Sequence, residues 1–150
     1  PYVGLEPNPH CVAFVEAIVG INHLRDITLL PVAASGHRGL HPLFVAETCP
    51  TDQTATLRPD LRPAASRRAT WVNTLPLDDA LAAVSPGPVS LVKIDVEGAE
   101  LDVLQGASRL LAETRPPVLC EVLLADPSAD FDAYLARLAN LAALLHAHDY

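Results

Sequence analysis

The stretch from Val89 to Leu124 constrains the fold more than any other part of the chain. Val89-Ser90-Leu91-Val92-Lys93-Ile94 is a short, nearly continuous apolar run, Asp95-Val96-Glu97-Gly98 reads as a tight turn, and Ala99 to Glu113 carries Leu101, Leu104 and Leu111 at helical spacing. Pro116-Pro117 then leads into a second apolar run, Val118 to Leu124. Apolar runs without alternation mark strands buried on both faces, and such strands belong to parallel sheets joined by helical crossovers. The stretch therefore predicts a βαβ unit.

The alternation extends upstream. Tyr2 to Leu5 is a strand candidate, and in Glu6-Pro7-Asn8-Pro9 the Asn8 side chain suits an N-cap and Pro9 the first helical position. Cys11, Phe14, Val15, Ile18 and Val19 recur at helical spacing, with Gly20 as a stop signal, and Ile27 to Ala33 reads as a buried strand closed by Ser35-Gly36. Leu40 to Ala46 and Ala69 to Thr74 are predicted to pair as a hairpin around the Pro-rich excursion Glu47 to Ser66, and connections that long are functional or disordered. Asp78 suits the cap of a short helix ending at Val84, before Ser85-Pro86-Gly87-Pro88. Asp126-Pro127-Ser128 leads into a last helix with Phe131, Leu135, Leu138, Leu141 and Leu145 on one stripe. The expectation is a single α/β domain over residues 1–150, a mostly parallel sheet flanked by helices on both faces, with a hairpin excursion at about 37–75.

Charge excludes several classes. The formal net charge is −8, and Lys93 is the one lysine. Arg58, Arg62, Arg67 and Arg68 form the only basic cluster, read as a solvated loop or a contact for an anionic substrate. Nucleic acid is not an expected partner, because phosphate contacts need clustered cations. No apolar run approaches the roughly 20 residues that span a bilayer, so no membrane association is expected. Three widely spaced cysteines without a C-x-x-C pair suit a reducing, cytoplasmic compartment, with Cys11 and Cys120 as small buried hydrophobes. Six histidines show no metal-ligand spacing, and no metal is expected. The chain lacks methionine and opens on Pro1, so it is expected to be the interior of a longer protein.

In an open parallel sheet, ligands bind beyond the carboxyl ends of the strands. Glu6, Ala33-Ala34-Ser35, Asp95-Val96-Glu97 and the residues after Leu124 fall there. Glu6 suits the two hydroxyls of a ribose, or it is an acidic residue stabilised by a helix N-terminus. Asp95 and Glu97 suit orienting a cofactor amine, holding a metal or taking a proton, or they are ordinary helix-start acids, as Glu100 is expected to be. Glu121 interrupts an apolar run, so it faces a pocket or pairs with a cation such as Lys93. The sequence contains no P-loop and no G-x-G-x-x-G, and spacing reveals no Ser-His-Asp arrangement.

Leu5-Glu6-Pro7-Asn8-Pro9, Leu29 to Ser35, Leu77-Asp78-Asp79-Ala80-Leu81, Val92 to Glu100 with Leu104-Gln105-Gly106-Ala107, and Pro117 to Val122 together resemble the FkbM-type S-adenosylmethionine-dependent methyltransferases. Order and spacing agree over nearly the whole chain. The resemblance implies a Rossmann-like class I methyltransferase fold, here expected to lack its first strand, the glycine-bearing loop after it, and its last strands. It implies O-methyl transfer to the hydroxyl of a small-molecule acceptor, a sugar or polyketide-like natural product. Glu6 would hold the cofactor ribose, Pro7 and Asn8 would flank the adenine, and Ala33 and Ala34 would line its other side. Asp95 and Glu97 would lie near methyl donor and acceptor and supply the base, with His37 or His41 as outside candidates. Thr51, Asp52 and Thr54 would border the acceptor pocket. Two other readings stand beside this one: a non-catalytic binding or scaffold derivative of the same fold, and a nicotinamide-dependent oxidoreductase, which Glu6 alone permits.

Overall fold

Asn8 and Pro9 start a helix in the way their chemistry demands. In the computed structural model, which describes residues 1–61, 67–123 and 131–150, strand β1 (Tyr2–Leu5) leads through Asn8 into helix α1 (Pro9–Ile21). Asn8 Oδ1 accepts a 3.0 Å hydrogen bond from the His10 amide. The helix runs one residue past Gly20, whose surroundings are open. It returns the chain to β2 (Ile27–Leu30), which pairs in parallel with β1 from Tyr2↔Ile27 to Leu5↔Leu30. The expected inward face of α1 is only partly covered. No residue of the helix is buried; Cys11, Val15 and Val19 are half-buried, and Phe14 and Ile18 are exposed.

The strand expected over Ile27 to Ala33 is two strands. Pro31 brings no N–H to a ladder, the Val32 amide turns back onto the Leu30 carbonyl at 2.8 Å, and β3 (Ala33–Ala34) joins a different sheet. That sheet has the order β3-β5-β4, with β4 (Gly39–Ala46) antiparallel to β5 (Arg67–Leu75) and β3 parallel to β5. Alternation along the hairpin sends Leu43, Val45 and Val72 inward, where they close on Ala33. Thr56 in the excursion bridges back to Phe44 of β4. Arg62 and the rest of 62–66 lie outside the described residues.

Strands β6 (Val92–Ile94) and β7 (Val118–Cys120) form a third, parallel pair, each shorter than the apolar run that predicted it. The single helix expected over Ala99 to Glu113 is broken into α3 (Glu100–Gln105) and α4 (Ser108–Glu113). Gly106 marks the break, because its backbone presses on Ser35: a Cβ there would stand 2.1 Å from the Ser35 carbonyl oxygen. Asp78 completes the junction from a distance. Its amide donates to the Gly106 carbonyl at 2.9 Å, and its carboxylate accepts from the Arg109 and Leu110 amides at 2.7 and 3.0 Å. The carboxylate thus caps α4 and not its own helix α2 (Leu77–Val84), whose N-cap position is Pro76 with no side-chain cap.

Ile94, Val103, Leu104, Ala107, Leu111 and Leu141 form the larger core. Helix α5 (Phe131–Ala147) reaches it through Leu141, Leu144 and Leu145, while Phe131 and Leu135 at the start of the expected stripe are exposed. The helices cover one face of β6–β7. On the other face Leu91 and Leu119 are each 57% exposed, which corrects the expectation of cover on both faces. The described strands form three small sheets, and among them no ladder joins β1–β2 to β6–β7, the two half-sheets between which the absent first strand was expected. Leu124, where β7 was expected to end, and Asp126-Pro127-Ser128 lie outside the described residues.

Candidate functional site

Glu6 sits where β1 ends and α1 begins. Its amide extends the β1–β2 ladder onto the Leu30 carbonyl at 3.0 Å, and its Oε1 accepts from the Asn8 amide at 2.7 Å. Burial pushes the Glu6 carboxyl above its ordinary value, against the opposing pull of the Asn8 hydrogen bond. A half-buried carboxylate, fixed through one oxygen at a strand's carboxyl end, has the chemistry to accept from a vicinal diol.

Asn8 is 2% exposed and fully committed: Oδ1 caps α1, and Nδ2 donates to the Pro50 carbonyl at 2.8 Å. Its side chain is a fixture of the loop rather than an open ligand. Cys11 lies one turn further along α1. Burial raises its thiol pKa, and the carboxylates of Glu6 and Asp52 and the thiol of Cys49 add to the rise. Ala33 is closed into the hairpin core and Ala34 packs against the larger one; Ser35 continues from them, its amide bonded to the Leu75 carbonyl.

The second half of the site is the turn after β6. Lys93 and Asp95 flank buried Ile94, and the period of two puts both on the opposite, exposed face. There Lys93 Nζ meets Asp95 Oδ2 at 2.6 Å. The hydrogen bond to Asp95 raises the lysine pKa first, with lesser contributions from the charges of Asp95, Glu121 and Tyr2. Glu121 is exposed, and the ion pair of Lys93 is with Asp95. Glu97 and Gly98 follow with φ of 53° and 108°. Two successive left-handed residues make the turn sharp, and the non-glycine one holds its conformation only under external restraint.

Three side chains supply that restraint. Thr56, 1% exposed, donates through Oγ1 to the Glu97 carbonyl at 2.7 Å. Glu100 Oε1 accepts from the Gly98 amide at 2.8 Å, and Glu100 Oε2 lies 3.3 Å from Arg137 Nη1. Arg137 also donates to the carbonyls of Gly98 and Leu123, at 3.4 and 2.7 Å. Glu100 is therefore no ordinary helix-start acid: it is 1% exposed and ion-paired beneath the turn. Sequence reasoning missed Thr56 and Arg137. A charge among the leucines of the last helix was a usable signal for Arg137; nothing in the local sequence pointed to Thr56.

Asp52, expected at the acceptor pocket, serves the excursion itself. It is 8% exposed, and its carboxylate accepts from the Ala46 amide, the Thr54 amide and the Thr54 hydroxyl. Burial raises its pKa, but these bonds and the nearby Arg67 outweigh it and hold the carboxyl below its ordinary value. Arg67 Nη1 donates to the carbonyls of Phe44 and Thr54. Arg58 pairs with Asp60 at 3.1 Å and approaches Asp102 at 3.9 Å, so these arginines are bound into the fold. Thr51 is exposed, as are His37 and Arg68; His41 is half-buried against its neighbour's carbonyl.

A shallow groove of about 340 Å³ lies between α2 and α4, lined by Leu81, Pro86, Val89 and Leu110 among others. Val89 leads into β6, so the groove lies at the opposite end of that strand from the 95–98 turn. Among the described residues no group of three or more His, Cys, Asp or Glu is placed to hold a metal ion. No helix among them is long and apolar enough to cross a membrane.

No curated protein and no solved structure matches the chain. The family model described as "Methyltransferase FkbM domain" matches residues 2–150, which takes in both halves of the site, and the chain thus belongs to the FkbM methyltransferase family.

Proposed function

We propose that the chain is the cofactor-binding part of an S-adenosylmethionine-dependent O-methyltransferase, acting in the cytoplasm on the hydroxyl of a sugar or polyketide-like small molecule. The observation that carries this reading is the Glu6 carboxylate at the carboxyl end of β1, half-buried and held by the Asn8 amide. Its donor-free oxygens, one of them fixed by the Asn8 amide, fit a ribose diol, and the residues present at this corner fit that part of the cofactor. When bound, S-adenosylmethionine supplies an electrophilic methyl group on a sulfonium that carries its own leaving group.

The protein's part is alignment and one proton. Glu6 holds the ribose, Pro7 and Ala34 shape the adenine side, and Asn8 keeps Glu6 in place. The 95–98 turn faces the reacting groups. Glu97, on the left-handed turn after β6, is the base for the acceptor hydroxyl, and the neighbouring Asp95 carboxylate meets Lys93 at 2.6 Å. Asp95 with Lys93 then acts as a fixed dipole at the mouth of β6. Correct alignment of the acceptor oxygen supplies the larger part of the rate.

Incubation of the full-length protein with S-adenosylmethionine carrying a labelled methyl group, against a panel of sugar and polyketide hydroxyl acceptors, tests this. The account expects label in an ether product, reduced about a hundredfold or more in Glu97→Gln by loss of general-base catalysis. Label on no acceptor hydroxyl contradicts it.

A further inference from the structure

The excursion touches both halves of the site. Asn8 Nδ2 donates to Pro50, and Thr56 Oγ1 donates to Glu97. These anchors are six positions apart, so the chain limits their separation to about 20 Å. The segment between them is braced: Asp52 gathers the Ala46 and Thr54 amides and the Thr54 hydroxyl, and Arg67 ties Thr54 to Phe44. Thr56 itself is fixed from both sides, since its backbone bridges to Phe44 and its hydroxyl also accepts from the Arg58 amide at 2.8 Å.

We infer that Pro50 to Thr56 is a strap that sets the Glu6 loop and the 95–98 turn relative to each other, with Thr56 as a positioning residue acting through Glu97. The inference rests on reading the 95–98 turn as part of the methyl-transfer site. Glu97 adopts a left-handed backbone that a residue with a Cβ avoids. The Thr56 hydroxyl holds the carbonyl of that residue, and removing it takes away that hydrogen bond and the one from the Arg58 amide. The strap thus converts hairpin rigidity into turn geometry.

The test uses Thr56→Val and Thr56→Ser in the full-length protein, with two readouts. Hydrogen exchange of the Gly98 amide reports the turn independently of any activity, and calorimetry with S-adenosylhomocysteine reports the site. Thr56→Val is expected to speed Gly98 exchange about tenfold, the scale of one lost hydrogen bond, and to weaken S-adenosylhomocysteine by about threefold or more. Thr56→Ser keeps the donor and restores both. In a Glu97→Gly background, where the left-handed backbone is free of strain, the exchange effect of Thr56→Val shrinks to about threefold or less. Unchanged Gly98 exchange in Thr56→Val, a serine variant that behaves like valine, or faster exchange with unaltered affinity each overturns the inference. If the unaltered protein binds no S-adenosylhomocysteine, the proposed function fails, while Gly98 exchange still decides the role of Thr56.

Discussion

The Glu100 carboxylate and the Arg137 guanidinium meet at 3.3 Å beneath the turn after β6, with side chains 2% and 13% exposed. Thirty-seven positions apart in the chain, they join the first residue of α3 to the middle of α5. Breaking a buried pair by removing one partner costs about 3–5 kcal/mol, because the other charge stays buried without compensation. Arg137→Met is therefore expected to lower unfolding free energy by about 3 kcal/mol in urea. A loss below about 0.5 kcal/mol, the range of an exposed pair, contradicts the assignment.

Asp78 caps a helix that begins thirty residues later. Asp78→Ala removes an acceptor from two amides of α4, a loss of about 1–2 kcal/mol on the scale of helix caps. Asp78→Asn keeps one acceptor oxygen and loses less. Urea midpoints of the two variants test this, and equal loss in both is inconsistent with capping.

Gly106→Ala carries an unusual penalty. Alanine normally improves a helix-like position over glycine by up to about 1 kcal/mol. Here the new Cβ meets the Ser35 carbonyl oxygen at 2.1 Å and Pro76 Cα at 3.1 Å, both backbone atoms that cannot swing aside. Destabilisation of about 2 kcal/mol or more, measured by denaturation, is expected, the scale of overpacking. A neutral or stabilising result contradicts the close approach.

Under the proposed function, Glu6 sets a pH dependence of cofactor binding. Burial raises its carboxyl above the ordinary 4.5, so the folded protein binds this proton more readily than the unfolded chain. With that sign, the Glu6 contribution to stability is present below 4.5 and is lost as pH rises through the raised value. Diol binding uses the ionised form, so affinity for S-adenosylhomocysteine falls on acidification while the pH is still above 4.5. Glu6→Gln removes that pH dependence. A titration by calorimetry in which Glu6→Gln retains it contradicts the role of Glu6.

Local rules made part of this fold legible. The Asn8–Pro9 helix start, the pairing of β4 with β5 and the βαβ order around Ile94 follow from cap chemistry, alternation and apolar runs. What the sequence hid is tertiary. Pro31 splits a strand because the second half finds a different sheet, and Gly106 splits a helix because Ser35 passes beneath it. Within the site, Glu6, Asp95 and Glu97 were visible as carboxylates at strand ends, but their partners were not. Lys93 pairs with Asp95, Asp52 turned out to brace its own loop, and Thr56 and Arg137 reach the turn from 41 and 39 positions away. Contacts at such separations leave no periodic signal.

The most direct test of the account is calorimetry of S-adenosylhomocysteine with the full-length protein and its Glu6→Ala variant at neutral pH. The account predicts saturable binding that Glu6→Ala weakens about tenfold or more, the scale of hydrogen bonds to a charged acceptor. No binding by the unaltered protein, or equal affinity in the variant, contradicts a cofactor site built on the end of β1.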